Sequence, residues 1–164
     1  MNVKHMPFTQ EYLRSVFSYD EKTGLLHRIK GGNSRYTGTP GKSGYLWRGV
    51  KMKKYAVHRL IYLYAHGVQP EQIDHVDGDP ANNRIENLRA CTSAQNQFNI
   101  PRQKNNTTGF RGVYRIKIKT CNPYVASIKI KGKQTHLGCF PTAEEAAERY
   151  RKAALAYAGE FVRR

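Results

Sequence analysis

The sequence predicts an α+β chain in two parts. A small mixed domain occupies residues 1–100, and after a basic linker at 101–109 a three-stranded antiparallel sheet packed on one helix occupies residues 110–164. Three observations predict this. Around Asp74–Asn96 a short apolar run, a Gly-Asp-Pro loop, a second apolar run and a helix follow one another. Residues 100–109, IPRQKNNTTG, have no hydrophobic period. From Phe110 three alternating runs lead into a helix that opens with a capping box.

Taken in order, Thr9 caps a short helix whose Leu13, Val16 and Phe17 share one face. Asp20–Gly24 turns into a strand at 25–30. The turn formers of 31–44, with Arg35 and Lys42, read as a loop able to touch phosphate. Strands are expected at 45–52 and 55–57 around a Lys53–Lys54 turn. A helix over 58–66 then presents Leu60, Ile61, Tyr64 and Ala65 on one stripe, stops at Gly67, and starts with His58 and Arg59. A strand ends in Asp74-His75, a second covers 88–92, and Ser93 caps the next helix. In the carboxy-terminal part, strands are expected at 110–119, 124–131 and 134–140. The final helix begins at Thr142-Ala-Glu-Glu145, shows Ala146, Ala147, Tyr150, Ala154 and Tyr157 to the sheet, and ends at Gly159.

The formal charge of +16 attracts a polyanion. Its distribution says more: residues 1–100 hold 14 Lys and Arg against 8 Asp and Glu, residues 101–164 hold 14 against 4, and no acidic residue lies between Glu86 and Glu144. No apolar run approaches the roughly 20 residues a membrane helix needs, and the start has no signal-like apolar core, so a cytoplasmic, non-secreted protein without a membrane partner is expected. Cys91, Cys121 and Cys139 lack the spacing of a zinc site, so no structural zinc is expected and all three read as small buried hydrophobes.

Asp74, His75 and Asn96 carry the candidate chemistry. A carboxylate and an amide oxygen are hard donors, and an imidazole with an ordinary pKa of about 6.5 suits a general base. Oxygen ligands beside a base point to metal-assisted hydrolysis of a phosphodiester. Acidic residues in such a loop are commonly plain turn formers. A calcium EF-hand loop fails on spacing, because counting from Asp77 the third position is Ala81 and no Glu closes position twelve.

The run DHVDGDPANNRIENLR, with AVHRL before it and SAQNQFN after it, resembles the HNH homing endonucleases of phage and intron origin. The resemblance implies a ββα-metal nuclease motif, with the family letters on His75, Asn87 and Asn96. It implies that His75 activates water, Asn87 holds the loop or orients His75, and Asp74 with Asn96 holds magnesium, or manganese. It also places the His58-Arg59 pair close to the catalytic loop.

Phe110-Arg-Gly-Val113, Ala126-Ser-Ile-Lys129, His136-Leu-Gly-Cys-Phe140 and Thr142–Ala147 together resemble the plant APETALA-type (ethylene-response-factor) DNA-binding domain. Such a module lays its sheet in the major groove. Alternation turns Lys129 and Lys131 to the open face with Gln134 and His136 beside them. On the first strand the plant pattern turns Tyr114 and Ile116 to DNA, whereas polarity turns Arg115 and Lys117. The DNA-contacting set expected from charge and resemblance is Arg59, Arg102, Lys104, Arg111, Arg115, Lys117, Lys129, Lys131, Gln134 and His136.

The function expected is a site-specific endonuclease on double-stranded DNA, nicking as a monomer or breaking the duplex as a homodimer. A DNA-binding regulator on an inactive nuclease scaffold is the alternative, and an RNA-binding protein, favoured by charge alone, a third.

Overall fold

The computed structural model describes residues 6–30, 38–99 and 106–162. Contacts divide the chain into two compact units, residues 1–93 and 94–164. The division falls before the residue-100 boundary expected from sequence, because residues 97 and 98 are tied to Arg111.

In the first unit, helix α1 (Gln10–Val16) is capped as its sequence predicts, with the Thr9 hydroxyl accepting the Tyr12 N–H at 3.3 Å. Phe17 is not on that helix. It opens strand β1 (Phe17–Asp20), which pairs antiparallel with β2 (Leu25–Arg28). Strands β3 (Thr39–Pro40), β4 (Leu46–Val50) and β5 (Lys53–Ala56) form a second sheet in that order. The β4–β5 turn is at Lys51–Met52, not Lys53–Lys54, with φ of 46° and 61°. Of the two-residue hairpin loops that match strand twist, type I′ has positive φ at both positions, and here residues other than Gly or Asn adopt it.

Helix α2 (Val57–His66) buries Val57, Leu60, Ile61 and Leu63. The Tyr64 and Ala65 expected on its inner stripe are only half-buried. Strand β6 (Gln72–His75) pairs antiparallel with β7 (Leu88–Cys91), so that Asp74 faces Arg89 and His75 faces Leu88. The core gathers Phe8, Leu13, Phe17, Leu26, Leu60, Ile61 and Leu88. Each such side chain contributes about 1.5–3 kcal/mol on leaving water.

The second unit receives helix α3, which begins at Ser93 and runs to Asn99. Strands β8 (Val113–Arg115), β9 (Tyr124–Ile130) and β10 (Lys133–Phe140) form an antiparallel sheet with β9 in the middle. Helix α4 (Ala143–Ala158) packs on all three strands. Its capping box forms: the Thr142 hydroxyl accepts the Glu145 N–H at 3.2 Å and lies 3.2 Å from the Glu145 carboxylate. Strand β8 is three residues long where ten were expected, because pairing ends at Arg115↔Tyr124 and the Ile116 N–H closes onto the Pro123 carbonyl at 2.9 Å.

The inner layer is built on small side chains, with Ala126, Ala146 and Ala154 fully buried beside Val113 and Ile128. Gly112 lets the layers meet: its φ is 69°, and a Cβ there would stand 2.1 Å from the Tyr150 ring. Cys91 is buried, but Cys121 and Cys139 are exposed, correcting the reading of all three as core residues. Cys121 lies in the β8–β9 connection, and Cys139 follows a bulge between His136 and Gly138 in β10.

Candidate functional site

Pairing of β6 with β7 carries Asp74 and His75 to the end of a strand where both are buried, 5% and 4% exposed. A buried carboxylate needs partners. Both Nε and Nη2 of Arg89 reach one oxygen of Asp74, at 2.9 and 2.7 Å. This ion pair was not foreseen from sequence, although Arg89 stands directly across the ladder.

The loop after His75 is a closed hydrogen-bond network. The Asp77 N–H donates to Asn87 Oδ1 at 3.0 Å, and Asn87 Nδ2 donates to Asp77 Oδ1 at 2.9 Å and to the Asn82 carbonyl at 2.8 Å. The Val76 N–H donates to the Asn87 carbonyl at 2.9 Å. Asp77 also accepts from the Asp79 N–H and from Asn82 Nδ2. Burial works to raise the Asp77 pKa, but these hydrogen bonds outweigh it and hold the carboxyl below its usual range. Asn87 therefore pins residues 76–82, the loop-holding one of the two roles that the resemblance implies.

Asn83, which sequence reasoning did not single out, lies against His75. It is 2% exposed, and its Oδ1 lies 3.3 Å from His75 Nε2. Only the Asn82-Asn83 doublet eight residues after His75 marked it, and nothing in a polar loop singles out one amide. The loop reaches this position because Gly24, with φ of 70°, lies against it. A Cβ there would stand 2.6 Å from Arg84 N and 2.8 Å from the Asn83 carbonyl carbon.

Two rings lie against the His75 imidazole: His58 and His75 have centroids 5.2 Å apart at a 74° angle, and Tyr45 lies 5.1 Å from His58 and 5.7 Å from His75. Burial pushes the His58 pKa down to about 3, with the charges of His75 and Arg59 adding to the effect, so this ring is neutral at pH 7. The Nδ1 of His58 is buried without a hydrogen-bond partner. Burial also lowers the His75 pKa, opposed by the Asn83 hydrogen bond and by Asp77, Asp74 and Asp79. A neutral imidazole at pH 7 is the form that accepts a proton.

The other expected residues fall in several places. Arg59 is engaged within the protein, Nη2 on the Pro70 carbonyl at 2.9 Å and Nη1 on that of Glu71 at 3.4 Å. Arg111, expected among the DNA-contacting residues, is likewise drawn inward: it donates to the Gln97 carbonyl and, at 2.8 Å, to that of Phe98, satisfying the end of α3. Asn96 lies half-buried on α3, in the second unit. Arg35, Arg102 and Lys104 lie outside the described residues.

Register settles the faces of the carboxy-terminal sheet. Tyr114 pairs with Val125, Gln134 with Lys129 and His136 with Ser127, so these side chains share one face. Arg115 pairs with Tyr124, which places it on the other face, that of Ala126, so that of the two orientations open for the first strand the register gives the one that sets Tyr114 on the face of Lys129. Lys117 is exposed beyond the end of β8, and Lys131, also exposed, sits in the β9–β10 turn with φ of 48°.

The donor set at β6 fits one kind of metal better than another. Among the described residues no group of three His, Cys, Asp or Glu side chains could hold an ion. Asp74 supplies hard oxygen, which suits a magnesium-type ion that keeps waters and takes phosphate oxygens beside one or two carboxylates.

Known proteins share this stretch of chain. Residues 55–98 match the family described as HNH endonuclease. Over 131 residues, 78% of the chain, it is 37% identical to the "Uncharacterized HNH endonuclease L560" of Acanthamoeba polyphaga mimivirus, of which the match covers 66%. Over 58 residues, 34% of the chain, it is 36% identical to "Protein 3.8" of Escherichia phage T7, of which the match covers 48%. The chain thus spans less than two thirds of the length of either relative. No solved structure matches it significantly. The buried Asp74-His75 strand end, the loop pinned by Asn87 and helix α2, with His58 and Arg59 in its first turn, all lie within the segment that matches the HNH endonuclease family.

Proposed function

We propose that this chain is a metal-dependent, site-specific endonuclease of the homing type that hydrolyses phosphodiester bonds in double-stranded DNA. The observation that carries the reading is His75: a buried imidazole, neutral at pH 7, at the end of a strand beside Asp74 and over a loop pinned by Asn87, inside the segment that matches HNH endonucleases.

His75 takes a proton from a water molecule as its oxygen forms a bond to the scissile phosphorus. The bond from phosphorus to the 3′ oxygen breaks, and that oxygen leaves with a proton from solvent. Asn87 keeps the loop closed so that the imidazole keeps its place. Asp74, with Asn96, would hold a magnesium or manganese ion, which supplies charge neutralisation at the phosphate and at the leaving oxygen.

Recognition is assigned to the second unit. Its excess of Lys and Arg and the shared face of Lys129, Gln134 and His136 support contact with phosphates and base edges in the manner of the APETALA-type module. The domain limits 1–100 and 110–164, a cytoplasmic location in a bacterial host, and a monomer or homodimer belong to the same proposal.

One observation favours the alternative of a DNA-binding regulator on an inactive scaffold: Arg89 already satisfies an Asp74 oxygen that a cation would need. Incubating supercoiled plasmid carrying a selected site with the protein separates the two. Nicked or linear product with magnesium and none with a chelator supports the nuclease. Tight binding with no product at any magnesium or manganese concentration overturns it.

A further inference from the structure

We propose that Asn83 is a positioning residue that sets the tautomer of His75, keeping the ring proton on Nε2 so that Nδ1 carries the lone pair. The inference rests on His75 being the base, and it adds which of its two nitrogens acts and what selects it.

The far end of the Asn83 amide fixes which way the group is turned. Its Nδ2 lies 3.1 Å from the Ala81 carbonyl, a group that only accepts, so the NH2 side of the amide is turned there. The Oδ1 side is then turned to His75 Nε2, 3.3 Å away, and an amide oxygen has no proton to give. Nε2 must be the donor, and in the neutral ring the other nitrogen, Nδ1, is left unprotonated.

Asn83 is itself held. It is 2% exposed, so its amide has no water to turn to. The Tyr19 hydroxyl donates to the Asn83 carbonyl at 3.3 Å and accepts the Ile85 N–H at 2.8 Å, bracketing the residue on both sides. Gly24 lies so close to the same peptide that a Cβ there would meet it. An amide fixed at its backbone and at its Nδ2 can offer His75 one atom only, an acceptor. Asn87, by contrast, spends its amide on Asp77 and Asn82, so the two asparagines divide the work: one closes the loop and the other orients the ring.

The test is long-range proton–nitrogen NMR on the full chain with labelled histidine, free of metal and DNA, near pH 7.5. The unsubstituted protein should show His75 protonated at Nε2. Asn83→Leu, which keeps the volume and removes the acceptor, should convert this to a mixture of tautomers. On cleavable DNA it should lower kcat by about 10- to 100-fold with KM little changed. Asn83→Asp, which retains an oxygen there, should keep the Nε2–H form. A wild-type ring protonated at Nδ1, or a tautomer unchanged in Asn83→Leu, overturns the proposal. Should Asn83→Leu fail to fold, the wild-type and Asn83→Asp spectra still decide it. Because the tautomer is read without substrate, a protein that shows it but cuts no DNA refutes the nuclease reading, and with it the catalytic use of Nδ1, and leaves the assignment of the tautomer to Asn83 standing.

Discussion

The two units bury different kinds of side chain. The first fills its interior with Leu13, Phe17, Leu26, Val57, Leu60 and Ile61, whereas of the largest fully buried side chains among the described residues the second contributes Ile128 alone. Its α4 instead sets Ala143, Ala146, Ala154 and Ala158 against the sheet. The first unit also keeps Asp74, His75, Asn83 and Asn87 out of water, which is costly unless every group is hydrogen-bonded. A deep apolar core can support that burden. The second carries a net charge of +10 over residues 101–164 and a thin core, an arrangement suited to a surface that meets a polyanion rather than to one that encloses a reaction.

If the first unit holds the chemistry, the largest effect should come from His75→Ala. Its cleavage rate should fall by about 10²- to 10⁴-fold, with DNA affinity nearly unchanged, because the base acts on water and adds little to ground-state binding. Single-turnover cleavage beside a binding titration checks both halves. Near-normal turnover would remove His75 from the mechanism.

The contrast between the cores is sharpened by changes of opposite sense. Leu60→Ala should cost about 2–5 kcal/mol through the cavity it leaves. Urea unfolding followed by hydrogen exchange should show that loss in residues 10–91.

Acid should separate the units next. The folded-state pKa of His58 is depressed to about 3, so its contribution is complete above the unfolded value of about 6.5 and is lost as pH falls from there toward 3. Unfolded chain binds the extra proton throughout that window, and the loss totals on the order of a few kcal/mol. Exchange protection in the first unit should therefore fall between pH 7 and 5. In the second unit, whose single histidine, His136, is exposed, it should hold. Equal loss in both would break the distinction.

In the second unit enlargement should do the damage. Ala146→Leu, at a fully buried helix position, should cost about 1–3 kcal/mol by forcing α4 off the sheet. A neutral result by thermal unfolding would mean that the close approach is not needed. The smallest effect belongs to the charged face: Lys129→Ala should weaken binding to all duplexes alike and reduce the slope of log affinity against log salt by about 0.9, the share of one phosphate that is no longer neutralised. A slope that stays where it was would place Lys129 away from the DNA backbone.

Much of this was legible in the chain because it obeys local rules. Thr9 and Thr142 cap where a hydroxyl precedes an apolar period, and Asp74-His75 and Leu88–Cys91 form strands where short apolar runs flank a turn-rich loop. What escaped depends on partners distant in sequence or on backbone that side chains do not announce. The alternating residues 115–119 look like strand, yet β9 offers no partner beyond Tyr124. Lys51 and Met52 turn with positive φ and carry no Gly or Asn to betray it. Polarity and the plant pattern turned the first strand opposite ways, and only the register of Arg115 with Tyr124 chooses between them. The Arg89–Asp74 pair and the Asn83–His75 contact needed the ladder and the loop to be in place before either could be seen.

The position of Gly24 reaches into how freely this chain can be varied. Two independent prohibitions meet there, a left-handed backbone and a neighbouring peptide closer than any methyl group allows. Relieving one leaves the other, so no second substitution at a single neighbour opens the position to another residue. A library that left the strand, loop and helix around His75 alone and diversified the β1–β2 turn as a distant surface feature would sample position 24 at will. Most of its members would then lose the seat of Asn83 through a change in the β1–β2 turn, and the survivors would all spell glycine at a site where no chemistry takes place.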